Sequence, residues 1–364
     1  MRYAMIMAGG SGTRLWPMSR RSQPKQLIPF IGGRTLLGMA WSRLQGLLPA
    51  DRVLICASDA HREAILQATP DLTAANWVGE PEGRDTLNAV GLTALLLSLR
   101  DSEAVFAVVT ADHLIGPDEA FQGYLDHAFR LVEREPGTLV TFGIRPTEPA
   151  TGFGYLQLGD EVEGGVRIVR RFLEKPDAAR AREFYDAGPE RYLWNSGMFV
   201  WRADTLLDCI ARYTPDVRQG LSRIGAAVGT ADYDRTLAEV YPTLRKISID
   251  YAVMEPASQD ERLQVLGVPM QLEWLDVGSW PAYARTLEPD EAGNRAAGGR
   301  AVLLDCRDTL VVSGVAGHIV AMVGCEGMMV VHTPEATLIC PADRAEEVKR
   351  LTAILGDRYD DAPL

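Results

Sequence analysis

The sequence predicts an α/β protein with a Rossmann-like, mainly parallel sheet, helices on both faces of that sheet, and a small C-terminal β domain. β-branched runs alternate with helical segments, a glycine cluster follows the first apolar run, and short strands replace the helical spacing from about residue 295. A chain of 364 residues suits one large domain and one smaller domain. We predict domains at residues 1–285 and 295–364.

The first part of the chain alternates strands and helices with short connections. The predicted strands are residues 2–8, 52–58, 75–80 and 104–111, and the predicted helices are residues 35–47, 59–68 and 86–100. This order implies right-handed crossovers, with ligands beyond the carboxyl ends of the strands. The glycine loop after the first strand and the segment after residue 111 should therefore face the same cleft.

The C-terminal part predicts a small β domain, such as a few coils of a β-solenoid. A helix over residues 343–355 should close it, with Asp343 or Ala342 as the N-cap. The predicted strands are residues 301–306, 309–313, 318–323, 328–333 and 336–341.

Composition and charge exclude several classes of protein. A hydrophobic content of 47% with 24% charged residues is typical of a soluble globular protein. The net charge of −12 argues against general nucleic-acid binding. Residues 1–50 nevertheless carry seven basic groups and no acidic group, which indicates a segment that binds anions, with chance asymmetry on a solvated face as the alternative.

The first apolar run is too short for a secretion signal or a membrane span, so we expect a cytoplasmic protein without a membrane partner. The five cysteines are odd in number, widely spaced and free of CxxC pairs. This pattern predicts reduced thiols in a reducing compartment.

Small residues follow the first strand and predict a phosphate-binding loop, because backbone N–H groups can converge on an anion where no Cβ obstructs it. The loop lacks the Gly-Lys-Ser/Thr end of a Walker A motif, and Leu15 stands where the dinucleotide fingerprint needs its last glycine. Only four lysines occur against 33 arginines, so Lys25 is not a casual surface residue. We predict phosphate contacts from Arg14 and Lys25, with ordinary loop ion pairs as the alternative. The loop residues are Ala8, Gly9, Gly10, Ser11, Gly12 and Thr13.

Two aspartates are candidates for a metal site. Asp112 follows the fourth predicted strand at its carboxyl end, and Asp276 lies in the segment EWLDVGSW, although Asp before Val-Gly is also typical of a turn. His113 is interpreted as a supporting or packing residue. In FLEKP, Glu174 and Lys175 should point to opposite sides of a strand end unless the backbone turns at Pro176, and a surface ion pair is the alternative.

The run AGGSGTRLWPMSRRSQPKQ resembles the sugar nucleotidyltransferase family, and its PKQ ending resembles the mannose-1-phosphate guanylyltransferase branch. The C-terminal domain is similar to that family's short left-handed β-helix. The resemblance implies transfer of GMP from GTP to mannose 1-phosphate, giving GDP-mannose and pyrophosphate by Mg²⁺-assisted in-line attack without a covalent intermediate. Further matching segments, in order, are EPEGRDT, TADH, TGFGY, FLEKP, WNSGMF, SIDYAVME and LDVGSW.

The resemblance also implies roles for individual residues. Asp112 and Asp276 would hold Mg²⁺, and the catalytic cations would be Arg14, Lys25 and Lys175. The sugar would contact Gly154, Glu174 and Asn195, for which a tight turn, an ion pair and a backbone-capping amide are the alternatives. Trp194 and Phe199 are more typical of core residues. The nucleotide-binding set would comprise residues 8–14, Lys25, Glu80, Arg84, Asp85 and Asp112.

Two departures from the family pattern concern specificity. Asp85 stands where the family has asparagine, and a carboxylate can accept from N1–H and the exocyclic amine of guanine, so we hypothesise that Asp85 helps to read guanine. Pro256 stands where the family has lysine.

One alternative is a related enzyme that uses another sugar 1-phosphate or nucleoside triphosphate. The other is a catalytically inactive protein that binds sugar nucleotides as a sensor or regulatory subunit. We expect a monofunctional chain and, from the resemblance, a homodimer.

Overall fold

The computed structural model describes residues 1–10, 12–20, 23–29, 31–69 and 71–359. The chain divides into two compact units. The large unit contains residues 1–9, 40–111 and 115–274, and the small unit contains residues 10–39, 112–114 and 275–364. The segment after Gly9 and the residue pair Asp112–His113 therefore group with the C-terminal strands.

The elements alternate along the first part of the chain as predicted. The strands are β1 (Arg2–Met7), β2 (Val53–Ser58), β3 (Trp77–Glu80), β4 (Val105–Thr110), β5 (His113–Gly116), β6 (Thr138–Ile144), β7 (Tyr155–Glu161), β8 (Arg167–Leu173), β9 (Tyr192–Arg202), β10 (Gln264–Met270), β11 (Glu273–Asp276), β12 (Arg295–Ala297), β13 (Arg300–Leu304), β14 (Leu310–Ser313), β15 (Ile319–Val323), β16 (Met328–His332) and β17 (Thr337–Pro341). The helices are α1 (Leu36–Leu44), α2 (Arg62–Ala68), α3 (Asp85–Arg100), α4 (Asp118–Arg134), α5 (Ala178–Ala187), α6 (Ala203–Tyr213), α7 (Pro215–Ala227), α8 (Tyr233–Val240), α9 (Glu255–Ala257), α10 (Trp280–Ala284) and α11 (Val348–Arg358).

The large unit is built on a nine-stranded sheet in the order β3-β2-β1-β4-β9-β6-β10-β8-β7. Its β3-β2-β1-β4 half is parallel, as the strand and helix alternation predicts. β9 lies antiparallel between β4 and β6, and β7 and β8 add antiparallel pairs, so the whole sheet is mixed. The α/β class is confirmed.

Apolar residues explain why helices cover this sheet. Every residue of β4 and β6 is buried, which requires cover on both faces. One core packs Met5 and Phe106 of the sheet with Val90 of α3. Helix α4 packs on β4, β6 and β10 with its own buried apolar stripe.

The small unit contains the predicted C-terminal strands in a β-helix-like arrangement. β12, β14 and β16 form a parallel ladder, β17 closes it antiparallel, and β13 and β15 form a second parallel ladder. Leu310, Val331 and Leu338 pack in one core with Leu15 and Trp280. The small β domain is thus confirmed.

The predicted C-terminal helix begins differently from the expectation. Residues Ala342–Glu347 form a 3₁₀ turn, and the α-helix starts only at Val348. The N-cap predicted at Asp343 or Ala342 is wrong, because Pro341 caps the 3₁₀ turn and Glu347 caps the α-helix. Within the described part of the chain, the helices lack the combination of length and apolarity needed to cross a bilayer.

Candidate active site

The glycine loop leaves the carboxyl end of β1 and turns tightly around Gly12. Gly10 and Gly12 have φ of +97° and +58°, which side chains rarely tolerate. A Cβ on Gly12 would lie 2.8 Å from Cβ of Lys25, so glycine is needed for close approach. Ser19 Oγ donates to the Gly12 carbonyl oxygen at 2.5 Å. Ser11 lies outside the described residues.

Lys25 and two carboxylates form a cluster in the small unit, which we call the Lys25 cluster (Lys25, Asp112, His113 and Asp276). Lys25 Nζ lies 2.5 Å from Asp112 Oδ2, and the side chains are 12% and 28% exposed. The Val277 N–H donates to the Asp112 carbonyl oxygen at 3.1 Å, which links the residue after β11 to the second residue after β4. The structure thereby brings together three residues that the sequence predicts for catalysis and metal binding.

The charges of the Lys25 cluster stabilise one another. Burial would raise the pKa of Asp112, but the Lys25 ammonium and His113 lower it to about 2. Burial disfavours the charged form of Lys25, yet the carboxylates of Asp112 and Asp276 raise its pKa. Burial and the Asp112 charge raise the pKa of Asp276. Asp112 is therefore ionised at neutral pH, and Asp276 is the carboxyl that needs a further cation.

The Lys25 cluster fits a divalent cation. One ligand atom from each of Asp112, His113 and Asp276 lies within 4.8 Å of the others. Among the described residues, Asp276 Oδ1 is buried without a hydrogen-bond partner. A buried, unpartnered carboxylate oxygen costs free energy unless a cation or a proton satisfies it. Two carboxylates supply the oxygen ligands that Mg²⁺ prefers.

Arg14, the predicted phosphate contact, is held by the C-terminal segment. Its Nε lies 2.6 Å from Glu346 Oε2, and the two side chains are 45% and 71% exposed. Arg20 makes a similar pair with Glu335, at 2.6 Å. Sequence reasoning missed both glutamates, which lie far from the loop in the sequence and in no recognisable motif.

The three predicted sugar residues lie in the large unit together with Lys175, the predicted contact to the sugar phosphate. We call these four residues the Glu174 cluster (Gly154, Glu174, Lys175 and Asn195). The Asn195 N–H donates to the Gly154 carbonyl oxygen at 2.8 Å. A Cβ on Gly154 would lie 2.5 Å from Glu174 Oε2 and 3.5 Å from the Asn195 Cβ. A Cβ at position 154 would therefore displace the Glu174 carboxylate, whereas its contact with Asn195 would be an ordinary van der Waals distance.

The backbone turns at Lys175, so the Glu174 and Lys175 side chains do not point to opposite sides as they would on a regular strand end. The φ of Lys175 is +40°, and its Nζ lies 3.4 Å from Glu174 Oε1. Glu174 is 7% exposed and Lys175 is 59% exposed. A non-glycine residue in this conformation is strained, and such strain is concentrated at functional sites. Trp194 and Phe199 are buried, as predicted for core residues.

Asp250 joins the Glu174 cluster, and the sequence analysis missed it. It begins a π-helical turn, Asp250–Met254, a local irregularity that often marks functional sites. Asn195 Nδ2 donates to Asp250 Oδ1 at 3.0 Å. Loss of hydration and the charge of Glu174 raise the pKa of Asp250 to about 7. Its motif SIDYAVME could have drawn attention to it.

The predicted nucleotide-binding residues Glu80, Arg84 and Asp85 lie between the end of β3 and the start of α3. Tyr241 OH donates to Glu80 Oε1 at 2.6 Å, and Glu80 is 5% exposed. Arg84 donates to the Pro242 carbonyl oxygen. Asp85 is exposed with φ of +65°, and its carboxylate accepts from the Thr86 N–H at 2.8 Å. Sequence reasoning missed Tyr241, whose partner lies far away in the sequence.

Comparison with known proteins identifies the family. A model described as nucleotidyl transferase matches residues 3–292. The chain belongs to the nucleotidyl transferase family. A second model, described as MannoseP isomerase/GMP-like beta-helix domain, matches residues 299–355. The predicted family resemblance is confirmed.

Relatives within this family cover nearly the whole chain. The xanthan biosynthesis protein XanB of Xanthomonas campestris is 36% identical over 96% of this chain and 72% of the relative. A mannose-1-phosphate guanylyltransferase of Klebsiella pneumoniae is 34% identical over 98% of this chain and 74% of the relative. A crystal structure from Thermus thermophilus, described as a mannose-1-phosphate geranyltransferase, has a TM-score of 0.85 and 36% identity, covering 98% of this chain and 99% of that chain. The chain is a nucleotidyltransferase, and these similarities support sugar-1-phosphate nucleotidyl transfer as its general reaction.

Proposed function

We propose that this nucleotidyltransferase transfers GMP from GTP to α-D-mannose 1-phosphate, giving GDP-mannose and pyrophosphate. The observation that carries the proposal is the Lys25 cluster: an ammonium 2.5 Å from one carboxylate, beside a second carboxylate with an unpartnered oxygen. Curated relatives named mannose-1-phosphate guanylyltransferase support the choice of mannose and guanine.

The reaction we propose is a direct displacement. An oxygen of the sugar phosphate attacks the α-phosphorus of GTP and forms the new P–O bond. The bond between the α-phosphorus and the bridging oxygen breaks, and its electron pair leaves with pyrophosphate. The attacking phosphate oxygen is already anionic, so the step requires no base and no covalent enzyme intermediate.

Individual residues neutralise and position the phosphates in this proposal. The glycine loop (residues 8–13) binds the triphosphate through backbone N–H groups other than that of Ala8, which donates to the Cys56 carbonyl oxygen at 2.9 Å. Arg14 and Lys25 stabilise the leaving pyrophosphate. Lys175 contacts the sugar phosphate, while Gly154, Glu174 and Asn195 contact the sugar. Asp112 and Asp276 would hold Mg²⁺, which when bound supplies positive charge to the phosphate oxygens.

The substrate test is a panel of nucleoside triphosphates and sugar 1-phosphates, with pyrophosphate release as the readout. We expect the highest kcat/KM for GTP with mannose 1-phosphate. A higher kcat/KM for another pair would identify a sister enzyme. Binding of GDP-mannose without turnover of any pair would identify a sensor.

Asp85 is the residue for which we propose guanine reading. Its carboxylate is exposed at the amino end of α3, among the residues proposed to bind the nucleotide. We expect Asp85→Ala to lower the ratio of kcat/KM for GTP to kcat/KM for ATP by about 10-fold. This is the discrimination expected from one hydrogen-bond acceptor paired with the base. An unchanged ratio would exclude this role. Asp216→Ala is the matched control, because Asp216 is an exposed aspartate in the first turn of another helix, α7.

We also propose a cytoplasmic homodimer. Alternate residues of β13 and β15 form an exposed apolar face in the small unit, which supports self-association. Light scattering by the full chain measures its mass. The members of this face are Val302, Leu304, Ile319 and Val323.

A further inference from the structure

The side-chain amide of Asn195 is held from three directions. Its Oδ1 accepts from the Gly197 N–H at 3.2 Å, and its Nδ2 donates to Asp250 Oδ1 at 3.0 Å. Oδ1 also lies 3.0 Å from Thr141 Oγ1, whose single hydrogen is shared with the Met198 carbonyl oxygen at 3.2 Å. Asn195 is 7% exposed. These three contacts leave its amide a single orientation.

The Gly197 N–H decides which end of the amide faces Asp250. A backbone N–H can only donate, so the atom facing it must be the amide oxygen. Nδ2 therefore faces Asp250. An asparagine amide has two donor hydrogens and two acceptor lone pairs. One lone pair accepts from the Gly197 N–H, the other faces the shared Thr141 hydroxyl, and one Nδ2 hydrogen goes to Asp250. Within the described part of the chain the second Nδ2 hydrogen has no partner.

Asp250 faces the Glu174 cluster from a different part of the chain. It is half-buried at the start of the π-helical turn. Burial and the charge of Glu174 raise the pKa of Asp250, and the charge of Lys175 lowers it. Burial and the charges of Glu255 and Asp85 raise the pKa of Glu174 in the same way. The amide donor of Asn195 and the carboxylate acceptor of Glu174 thus lie in one cluster, and Asp250 contacts the amide directly.

We propose that Asp250 is a positioning residue for the sugar phosphate. Asp250 accepts one Nδ2 hydrogen of Asn195 and thereby fixes the direction of the second. That second hydrogen is then the one donor that this amide offers to a substrate oxygen. Glu174 supplies the complementary acceptor, so the pair suits neighbouring hydroxyl groups of a sugar. This inference rests on the proposed function, because it assumes that the Glu174 cluster binds the sugar.

The test is a double-mutant cycle with Asp250→Ala and Asn195→Ala, reading KM and kcat for both substrates. Loss of one positioned hydrogen bond should raise KM for the sugar phosphate about 3- to 10-fold. KM for GTP should change less than about 2-fold. Because Asp250 acts through Asn195, Asp250→Ala should add nothing further in the Asn195→Ala background. Asp250→Asn, which retains an oxygen acceptor, should restore the wild-type KM.

Glu255→Gln is the matched control, because it removes a negative charge near Glu174 without touching Asn195. It should leave KM for the sugar phosphate unchanged. Additive effects in the cycle, or equal changes in both KM values, would overturn the positioning role. If Asp250→Ala does not fold, Asp250→Ser replaces it in the cycle. A wild-type protein without turnover on any sugar phosphate would instead refute the proposed function.

Discussion

Lys25 is the residue on which the charges of the proposed metal site depend. Two carboxylates near one another repel, and burial adds to the cost of keeping both ionised. The Lys25 ammonium, 2.5 Å from Asp112, offsets this cost for one carboxylate. Asp276 keeps an unpartnered buried oxygen in the described structure, so the cluster has one positive charge fewer than it needs. A bound divalent cation would supply that charge.

We expect Asp112→Ala to lower kcat by at least ~10²-fold, the worth of one strong electrostatic contact in a transition state. Asp112→Asn keeps the shape and should also be severely impaired, which separates lost charge from lost packing. Steady-state kinetics at saturating Mg²⁺ give the result. Asp118→Asn, an exposed aspartate 3.4 Å from Arg43, is the control. Near-normal turnover of both Asp112 variants would remove Asp112 from the metal site.

Asp250 should make stability depend on pH. The pKa of Asp250 rises from 3.8 to about 7 on folding, so between these values the folded state binds more protons than the unfolded state. Its contribution to stability is therefore lost progressively as pH rises from about 4 to about 7. Asp250→Asn removes this titration. We expect the Tm of the variant minus that of the wild type to increase between about pH 5 and about pH 8. A constant difference would contradict the raised pKa.

At the scale of elements, the glycine loop lies close to a 3₁₀ turn, Lys25–Leu27, and this close approach depends on glycine. Gly12 and Gly32 both have positive φ, of +58° and +55°. A Cβ at Gly12 would lie 2.8 Å from Cβ of Lys25, whereas a Cβ at Gly32 would meet no atom of the described residues within 4 Å. The two positions therefore separate backbone strain from a steric clash.

Gly12→Ala should raise KM for GTP and lower kcat together by at least about 10-fold, because the clash displaces Lys25 from Asp112. Gly32→Ala carries the same backbone penalty, about 1 kcal/mol of stability, without that clash. Steady-state kinetics and the Tm of both variants distinguish the effect of the clash from the effect of backbone strain. Equal kinetic losses in the two proteins would mean that strain, not the displaced lysine, is responsible.

At the scale of the whole molecule, the N-terminal loop and the C-terminal residues belong to the same compact unit. Residues 10–39 and 275–364 share a core that includes Leu15, Trp280 and Val348. Trp280 Nε1 donates to the Trp16 carbonyl oxygen at 3.0 Å. The pairs Arg14–Glu346 and Arg20–Glu335 add charge contacts between the same segments. The C-terminal residues therefore support the loop that we propose binds the triphosphate.

Glu346 should compete with the triphosphate for Arg14. An exposed ion pair contributes at most about 1 kcal/mol, so Glu346→Gln should lower KM for GTP by up to about 5-fold and leave Tm nearly unchanged. The measurement is KM for GTP at low and high ionic strength, and the gain should shrink with salt. Glu347→Gln, which breaks the exposed Arg344 pair, is the control. A higher KM in Glu346→Gln would mean that Glu346 orients Arg14 for binding.

The sequence by itself determined the fold class, most element positions and the family. Local hydrophobic periodicity predicts strands and helices, and ordered motifs such as FLEKP and LDVGSW predict which residues carry chemistry. Tertiary structure decided what those residues contact. Asp250 faces Asn195, Tyr241 faces Glu80 and Glu346 faces Arg14 across separations that no local pattern encodes. Such pairs depend on strand order and on single backbone angles, such as φ of +40° at Lys175, which the packing of the whole chain selects.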